Sequence, residues 1–283
     1  MVCSRRASRN NRQPRALATV PTDAAQQNSS AQNRLTASNS RAPSLLLLHG
    51  FFGNAHNWDA CMQEFPAHWR LLVPQLPFFA PSPDRDRIEH VMQFISAFLK
   101  SHRTNRVVAV GNSLGGQLAV NLAVREPERV AGLVLTGSSG VGEQRLGTNI
   151  RRRPDRQWLR ERVREIFYDA RHVTDRQVDD VMSIFYDRRK GLEALMLARR
   201  VRTESVRDAL RQVHCPVSLI WGAEDKITPP ETAREFQELL PDAELHFIPR
   251  CGHAPMMEQP REFHRIVANF LRRLAKKDAT VAA

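Results

Sequence analysis

Residues 107–116 read Val-Val-Ala-Val-Gly-Asn-Ser-Leu-Gly-Gly and decide the fold more than any other stretch of the chain. The first four residues form an apolar run typical of a buried strand, and Leu114–Val124 has the pattern of a helix. Between the two, the pattern Gly-x-Ser-x-Gly predicts a tight strand-to-helix turn that strains the backbone of Ser113 and lifts its hydroxyl clear of the sheet. The positive end of the following helix points at the same place. Ser113 is therefore a candidate nucleophile.

A serine hydroxyl is a weak nucleophile at neutral pH and needs a base beside it. Among the ten histidines, His253 lies in a loop directly after the last predicted strand, where parallel sheets collect their ligand chemistry. Asp225 follows another predicted strand and is the candidate acid that orients the imidazole. Glu224, its neighbour, is the alternative acid. The chain order Ser113, Asp225, His253 is one of the known orders of a catalytic triad.

A serine mechanism also needs backbone donors for the oxyanion of the intermediate. Leu114, which follows Ser113, is predicted to supply one N–H. The second is expected from the loop after the first apolar run, which reads His-Gly-Phe-Phe-Gly at 49–53, with Phe51 as the best candidate. His49 is expected to brace this loop rather than to take part in the chemistry.

Short apolar runs, typical of strands buried on both faces of a sheet, alternate with helical patterns along the chain. The runs are Ser44–Leu48, Leu71–Val73, Val107–Val110, Val130–Thr136, Val217–Trp221 and Leu245–Ile248. The helical patterns are Ile88–Lys100, Leu114–Val124, Glu231–Leu240 and Glu262–Leu274. This alternation predicts an α/β fold, a mostly parallel sheet flanked by helices.

Residues 142–211 interrupt the alternation with amphipathic helical patterns and no strand signal. The patterns are Gln157–Phe167, Asp175–Tyr186 and Gly191–Arg200. We interpret this segment as a helical insert, and residues 44–141 and 212–283 as the core that it interrupts.

Residues 1–43 are rich in Arg, Ser, Asn and Gln and hold few large apolar side chains. Such a composition cannot bury enough surface to offset the entropy of ordering, so a disordered basic tail is predicted. The weak patterns at Ala16–Val20 and Arg34–Ser38 could each supply an edge strand. The Arg- and Ser-rich composition would also suit an organellar targeting segment, which is the alternative to the cytoplasmic location that we expect.

The net charge of +12 is unevenly distributed. The tail carries seven arginines against one aspartate, the insert eighteen basic against twelve acidic residues, and the core is balanced. No reading element with stacking aromatics accompanies this charge, which argues against nucleic acid as the main partner. An RNA- or membrane-associated role for the tail is the alternative.

The chain has no run of 18 apolar residues, so no membrane span is expected. The four cysteines lack the spacing of metal ligands. We expect neither a metal nor another cofactor, and the sequence leaves the oligomeric state open.

Taken together, the His-Gly loop at 49–50, the turn at 111–115, Asp225 and His253 resemble the α/β-hydrolase superfamily over roughly residues 44–275. The resemblance implies a sheet of eight mostly parallel strands and a helical cap, the insert, after the sixth strand. The stretches at 221–229 and 252–255 are similar to those of capped esterases and of meta-cleavage-product C–C hydrolases. Asn112 is similar to the latter group and is a candidate substrate contact.

Two departures from the family pattern bear on the substrate. The glycine-rich stretch that the family often has after its second strand is replaced by Pro-Gln-Leu-Pro-Phe-Phe-Ala-Pro-Ser at 74–82, a stiffer and more apolar loop. The C–C hydrolases usually have tryptophan after the catalytic histidine, where this chain has Ala254.

The sequence thus predicts a serine hydrolase that cleaves a carboxylic ester or related acyl bond of a small molecule through an acyl-enzyme. Hydrolysis of a C–C bond in a vinylogous diketone acid is the alternative reaction, and a non-catalytic ligand receptor is the alternative class. The basic insert predicts an anionic substrate, with Arg188 as the candidate contact and Arg151–Arg153 as a second basic cluster.

Overall fold

A seven-stranded sheet runs through the protein, with the strand order β1-β3-β2-β4-β5-β6-β7. The structure is a computed structural model and describes residues 34–35, 44–80, 86–141, 151, 153–240 and 242–281. The strands are β1 (Arg34–Leu35), β2 (Ser44–Leu48), β3 (Leu71–Val73), β4 (Val107–Asn112), β5 (Val130–Thr136), β6 (Val217–Gly222) and β7 (Ala243–Ile248).

Six strands, β2 to β7, pair in parallel, and only the two-residue β1 pairs antiparallel, with β3 at one edge. The predicted parallel α/β fold is confirmed. The expected number of eight strands is wrong, since the described residues form seven, and the insert follows β5 rather than a sixth strand. The number of strands and the position of the insert were both taken from the family resemblance. Among the described residues ahead of β2 there is one strand, β1, which is too short to show as an apolar run.

Helices cover both faces of the sheet. They are α1 (Asp59–Glu64), α2 (Arg87–Ser101), α3 (Leu114–Arg125), α8 (Pro230–Leu239), α9 (Pro255–Glu258) and α10 (Pro260–Val281). Strand β2 shows how the pleat serves both faces: Leu46 and Leu48 lie in the core with α2, α3 and α8, while Leu45 and Leu47 lie in the core with α1 and α10. A strand buried on both faces must be apolar throughout, which is why Ser44–Leu48 shows no alternation.

Between β5 and β6, the described residues form four α-helices, in the segment predicted to be helical. They are α4 (Arg156–Ile166), α5 (Asp175–Tyr186), α6 (Arg188–Thr203) and α7 (Arg207–Leu210). Asp155, Thr174 and Asp187 cap the first three by accepting hydrogen bonds from first-turn N–H groups. These caps explain where the predicted helices begin. The boundaries 142–211 for a separate cap stay a prediction.

Most of the predicted tail, including the pattern at Ala16–Val20, lies outside the described residues, so its predicted disorder stays a prediction. Of the pattern at Arg34–Ser38, only Arg34 and Leu35 are described, and both lie in the edge strand β1. No helix within the described ranges is both long and apolar enough to span a bilayer.

Candidate active site

The candidate residues meet at one edge of the sheet because they follow the carboxyl ends of neighbouring parallel strands. Ser113 directly follows β4, and its N–H donates to the carbonyl of Thr136 at the end of β5 (3.1 Å). Asp225 lies just beyond β6 and His253 just beyond β7. The chain order β4, β5, β6, β7 is also the order in the sheet, so residues distant in sequence become neighbours.

Ser113 lies on the strained turn that the sequence predicts. Its backbone angles are φ 56° and ψ −121°, in the left-handed region that side chains rarely adopt. The turn packs closely on β2: a Cβ at Gly115 would lie 2.1 Å from the carbonyl oxygen of Leu48. The carbonyl of Ser113 accepts hydrogen bonds from the N–H groups of Gly116 and Ser139 (3.0 and 3.2 Å), which holds the strained conformation in place.

His253 and Asp225 form a buried pair. The Nδ1 atom of His253 lies 2.9 Å from Oδ2 of Asp225, and the two side chains are 7% and 0% exposed. If Nδ1 carries the proton and donates it to the carboxylate, the Nε2 atom is left as the acceptor, which is the tautomer that a general base requires. The pairing agrees with the roles predicted for both residues, which remain our proposal.

Thr228 also contributes to this pair, although it is not among the residues predicted from the sequence. Its hydroxyl donates to Oδ2 of Asp225 (2.9 Å) and lies 3.2 Å from Nδ1 of His253. The N–H groups of Ile227 and Thr228 both donate to Oδ1 of Asp225 (2.8 and 2.9 Å). These donors fix the carboxylate in one orientation. A threonine three residues after the acid has no motif to mark it, since its role depends on the turn geometry.

Glu224, the alternative acid, faces elsewhere. Its carboxylate accepts the N–H of Cys251 (3.0 Å), and its own N–H donates to the carbonyl of Cys251 (3.0 Å). Glu224 therefore ties the loop after β6 to the loop that carries His253. The carboxylate that contacts the imidazole is that of Asp225 instead.

Asn112 joins the same loops from the side of Ser113. Its Nδ2 donates to the carbonyl of Thr136 and to the carbonyl of His253, both at 3.0 Å. The amide thus holds the backbone of the candidate base beside the end of β4. The predicted substrate contact of Asn112 stays a prediction, since its Nδ2 is already engaged by the protein.

The two predicted oxyanion donors flank Ser113. Leu114 is the first residue of α3, so its N–H is one of those that a helix start leaves without an intrahelical partner. Phe51 follows Gly50, and a Cβ at Gly50 would lie 3.0 Å from the Cβ of Ser113, so the loop passes directly beside the serine. Within the described part of the chain, neither N–H donates to a protein acceptor. This arrangement is consistent with an oxyanion hole.

His49 braces that loop, as predicted. The N–H of Leu76 donates to its Nε2 (3.0 Å), so Nδ1 carries the proton and donates to the carbonyl of Gly50 (2.8 Å). Complete burial lowers the pKa of His49 to about 4, because desolvation disfavours the imidazolium. His49 is therefore a neutral link between the loops after β2 and β3.

Phenylalanine rings surround the candidate oxyanion loop. The set comes from three segments and comprises Phe51, Phe52, Phe78, Phe79 and Phe185. Phe78 and Phe79 belong to the loop that replaces the glycine-rich stretch of the family, and Phe185 belongs to α5 of the insert. Ring centroids of Phe52 and Phe185 lie 6.0 Å apart. The insert therefore reaches the site through apolar contacts.

Most basic residues of the insert that the structure describes are exposed, while Arg152 of the second basic cluster lies outside the described residues. Arg188, the candidate substrate contact, is exposed in the first turn of α6, as are Arg151 and Arg153 in the segment before α4. Other arginines of the insert pair with its own acids, such as Arg156 with Asp175 (2.6 Å). An anionic substrate and a role for Arg188 stay predictions.

No three potential ligands among His, Cys, Asp and Glu are grouped to hold a metal ion in the described ranges. Burial raises the pKa of the Cys61 and Cys251 thiols well above its usual range. Both cysteines are therefore buried thiols rather than thiolates at neutral pH, which makes them unsuited to act as nucleophiles.

Residues 45–266 match the model of the Alpha/beta hydrolase family, and the chain belongs to that family. The match covers most of the described core and the whole insert. The match confirms the predicted family and its fold.

Several relatives are named for hydrolytic reactions. The chain is 31% identical to the pimeloyl-[acyl-carrier protein] methyl ester esterase of Nitrosomonas europaea, over 78% of this chain and 92% of the relative. It is 29% identical to the 2-hydroxy-6-oxo-6-(2'-aminophenyl)hexa-2,4-dienoic acid hydrolase of Metapseudomonas resinovorans, over 84% and 87% of the two chains.

Another relative is longer than the chain. The match to the dihydrolipoyllysine-residue acetyltransferase component of the acetoin cleaving system of Pseudomonas putida is 28% identical, over 81% of this chain and 63% of that protein. Among solved structures, MGS-MChE2, an alpha/beta hydrolase enzyme from a sediment metagenome, is similar with a TM-score of 0.68, 28% identity and coverage of 85% and 94%.

Proposed function

We propose that the protein hydrolyses carboxylic esters, or a related acyl bond of small molecules, through an acyl-enzyme on Ser113. The observation that carries the proposal is the joint geometry of the sheet edge: Ser113 lies on a strained turn, and its neighbour Asn112 donates to the carbonyl of His253, which forms a buried pair with Asp225. An ordinary glycine-rich turn would need neither the strain nor the buried pair.

In the proposed reaction, Nε2 of His253 takes the proton of the Ser113 hydroxyl while its oxygen attacks the carbonyl carbon. The N–H groups of Phe51 and Leu114 stabilise the resulting oxyanion. The intermediate collapses as the imidazolium returns its proton to the departing alcohol. Water, deprotonated by the same imidazole, then attacks the acyl-enzyme. The bond between the acyl carbon and the Ser113 oxygen breaks, the imidazolium returns the proton to that oxygen, and the acid is released. No cofactor takes part in these steps.

Cleavage of a C–C bond in a vinylogous diketone acid is the second candidate. The dienoate hydrolase named above supports it at 29% identity, as the esterase supports the first candidate at 31%. Against it stands Ala254, where the C–C hydrolases usually have tryptophan. We therefore favour ester hydrolysis.

A substrate panel separates these candidates. We would measure kcat/KM for p-nitrophenyl esters of increasing acyl length and for one 2-hydroxy-6-oxohexa-2,4-dienoate. Faster turnover of esters supports the main proposal, and faster turnover of the dienoate supports the second. Binding of both without turnover would indicate the non-catalytic receptor.

The charge preference of the insert can be tested in the same panel. An ester that bears a terminal carboxylate is compared with a neutral ester of equal length, for Arg188→Ala and for Arg199→Ala as an exposed control on the same helix. If Arg188 contacts substrate, only its replacement lowers kcat/KM for the anionic ester, and salt narrows the difference. Equal effects of both replacements would assign the charge to the general surface.

The cytoplasmic location stays a prediction.

A further inference from the structure

Glu258, at the end of α9, is a buried carboxylate that the proposed reaction does not use. Its Oε1 accepts the N–H of Gly252 (2.7 Å), and its Oε2 accepts the N–H groups of Tyr168 and Asp169 (2.8 and 3.2 Å). The residue is 5% exposed. One side chain therefore satisfies three backbone donors that come from two separate parts of the chain.

Those donors belong to the loop of the candidate base and to the insert. Gly252 directly precedes His253, whereas Tyr168 and Asp169 belong to residues 166–169, which we call the insert strap. The strap also binds the base itself, since the N–H of His253 donates to the carbonyl of Ile166 (2.7 Å). The two segments pack without a gap: a Cβ at Gly252 would lie 2.5 Å from that same carbonyl oxygen.

Burial opposes the charge of this carboxylate. Desolvation raises the pKa of Glu258 more than the hydrogen bonds from Gly252, Asp169 and Tyr168 lower it, and His172 of the insert is the basic group that acts on it. Burying an ionised side chain that has no salt-bridge partner among the described residues costs desolvation free energy. A neutral glutamine could accept on one oxygen only, so it could serve the loop or the strap but not both.

We propose that Glu258 is a positioning residue, which fixes the backbone of His253 against the insert strap so that the imidazole stays aligned with Ser113. The inference rests on the proposed function, since it assigns His253 as the base. It makes the insert part of the catalytic machinery, because the strap holds the base from one side as Asn112 holds it from the other.

The test compares Glu258→Gln and Glu258→Asp with Glu262→Gln, which replaces a half-exposed glutamate paired with Arg265 on α10. A fluorophosphonate, allowed to react to completion, counts the reactive sites, and kcat and KM are then measured per counted site with a p-nitrophenyl ester. We expect Glu258→Gln to lower kcat at least about tenfold with little change in KM, since a small misplacement of a catalytic group is this costly. Glu258→Asp, which keeps the carboxylate, should recover part of the loss, and Glu262→Gln should match the wild type.

An unchanged kcat per counted site in Glu258→Gln would overturn the proposal and leave Glu258 a purely structural group. If that variant does not fold, Glu258→Asp carries the test, because a carboxylate one methylene shorter cannot reach the donors of both the loop and the strap. Its kcat per counted site should then lie below the wild-type value, and an unchanged kcat would overturn the proposal. The rate of fluorophosphonate labelling at Ser113 gives a second readout that needs no substrate. Failure of the wild type to hydrolyse any ester would contradict the proposed function, whereas slower labelling of Glu258→Gln alone would still support the positioning role.

Discussion

The Asp225 carboxylate is the most heavily hydrogen-bonded group of the candidate site. It accepts from two backbone N–H groups and from the Thr228 hydroxyl, and it faces the Nδ1 atom of His253. Donors on both oxygens hold the carboxylate in one orientation. A carboxylate held in this way can only act on the imidazole in one orientation, which is what a positioning acid requires.

Replacing Asp225 with asparagine should cost far more activity than replacing Glu224 with glutamine. The amide can stabilise the wrong imidazole tautomer, so we expect a loss of kcat of about 10³–10⁴-fold in Asp225→Asn. Glu224→Gln keeps an oxygen that can accept from Cys251 and should stay within about fivefold of wild type. Steady-state kinetics with one ester decides between them, and a greater loss in Glu224→Gln would contradict the assignment.

His49 should make the fold sensitive to acid. Its folded pKa of about 4 lies below the ordinary value of 6.5, so the unfolded chain binds the proton more readily. Stability from this residue is complete above pH 6.5 and is lost as the pH falls towards 4, by about 3 kcal/mol in total. Urea unfolding at several pH values measures this loss. In His49→Gln, whose amide oxygen can still accept from Leu76, the free energy of unfolding should fall less steeply than in the wild type between pH 6.5 and 4.

The control for this measurement is His68→Gln, which replaces an exposed histidine. It should reproduce the wild-type slope between pH 6.5 and 4. An equal slope in His49→Gln and wild type would show that His49 is not the residue responsible.

At the scale of single residues, sequence patterns predict the proposed reacting groups but not the residues that orient them. Ser113 lies in a motif, while Asp225 and His253 follow apolar strands, so each carries a local signal. Thr228 and Glu258 act through hydrogen bonds to backbone atoms that only the folded turn brings near. No spacing in the chain encodes such contacts.

At the scale of elements, the turn between β4 and α3 determines where Ser113 lies. The start of α3 packs against the end of β2, with Gly115 over the carbonyl of Leu48. Any side chain at this position would have to displace backbone rather than a flexible group. The strained serine and the close packing are therefore consequences of the same short turn.

Gly115→Ala should destabilise the protein by at least about 2 kcal/mol, because the new methyl group forces the turn and β2 apart. Gly191→Ala is a matched control, since the nearest atom to its added Cβ is 3.6 Å away, an ordinary contact. Near the start of α6, alanine should be neutral or stabilising by up to about 1 kcal/mol. Denaturant unfolding of both variants measures this difference, and equal stabilities would contradict the packing argument.

The sequence also predicts the helices of the insert, because their amphipathic patterns are long. Asp175–Tyr186 agrees with α5 at both ends, and α4 and α6 differ only near their ends. The four-residue α7 is too short to show a periodic pattern. How these helices approach the site, through Phe185 and the insert strap, depends on tertiary contacts that no local pattern contains.

At the scale of the whole molecule, the charge and the chemistry are separate. Residues 44–141 and 212–283 together carry no net charge. The net charge of +12 comes from the tail and the insert. Every group assigned to the site lies at or after His49. The antiparallel edge strand β1 pairs through two residues only, so the parallel sheet has little dependence on it.

A variant that begins at Ser44 should therefore fold and keep the ester activity of the full chain within about twofold, since no proposed catalytic contact is removed. The same deletion lowers the net charge and should reduce the salt needed to elute the protein from heparin. Activity and elution are measured side by side. An insoluble or inactive variant would show that residues before Ser44 contribute to the fold.

The central claim is that Ser113 forms an acyl-enzyme. We would quench the wild-type reaction with a p-nitrophenyl ester in acid, within the first turnover, and determine the mass of the peptide that contains residue 113. The account predicts that this peptide gains the mass of the acyl group, and that Ser113→Ala gains none and loses about 10⁴–10⁶-fold in kcat. An acyl group on another residue, or turnover in Ser113→Ala within about tenfold of wild type, would contradict the account.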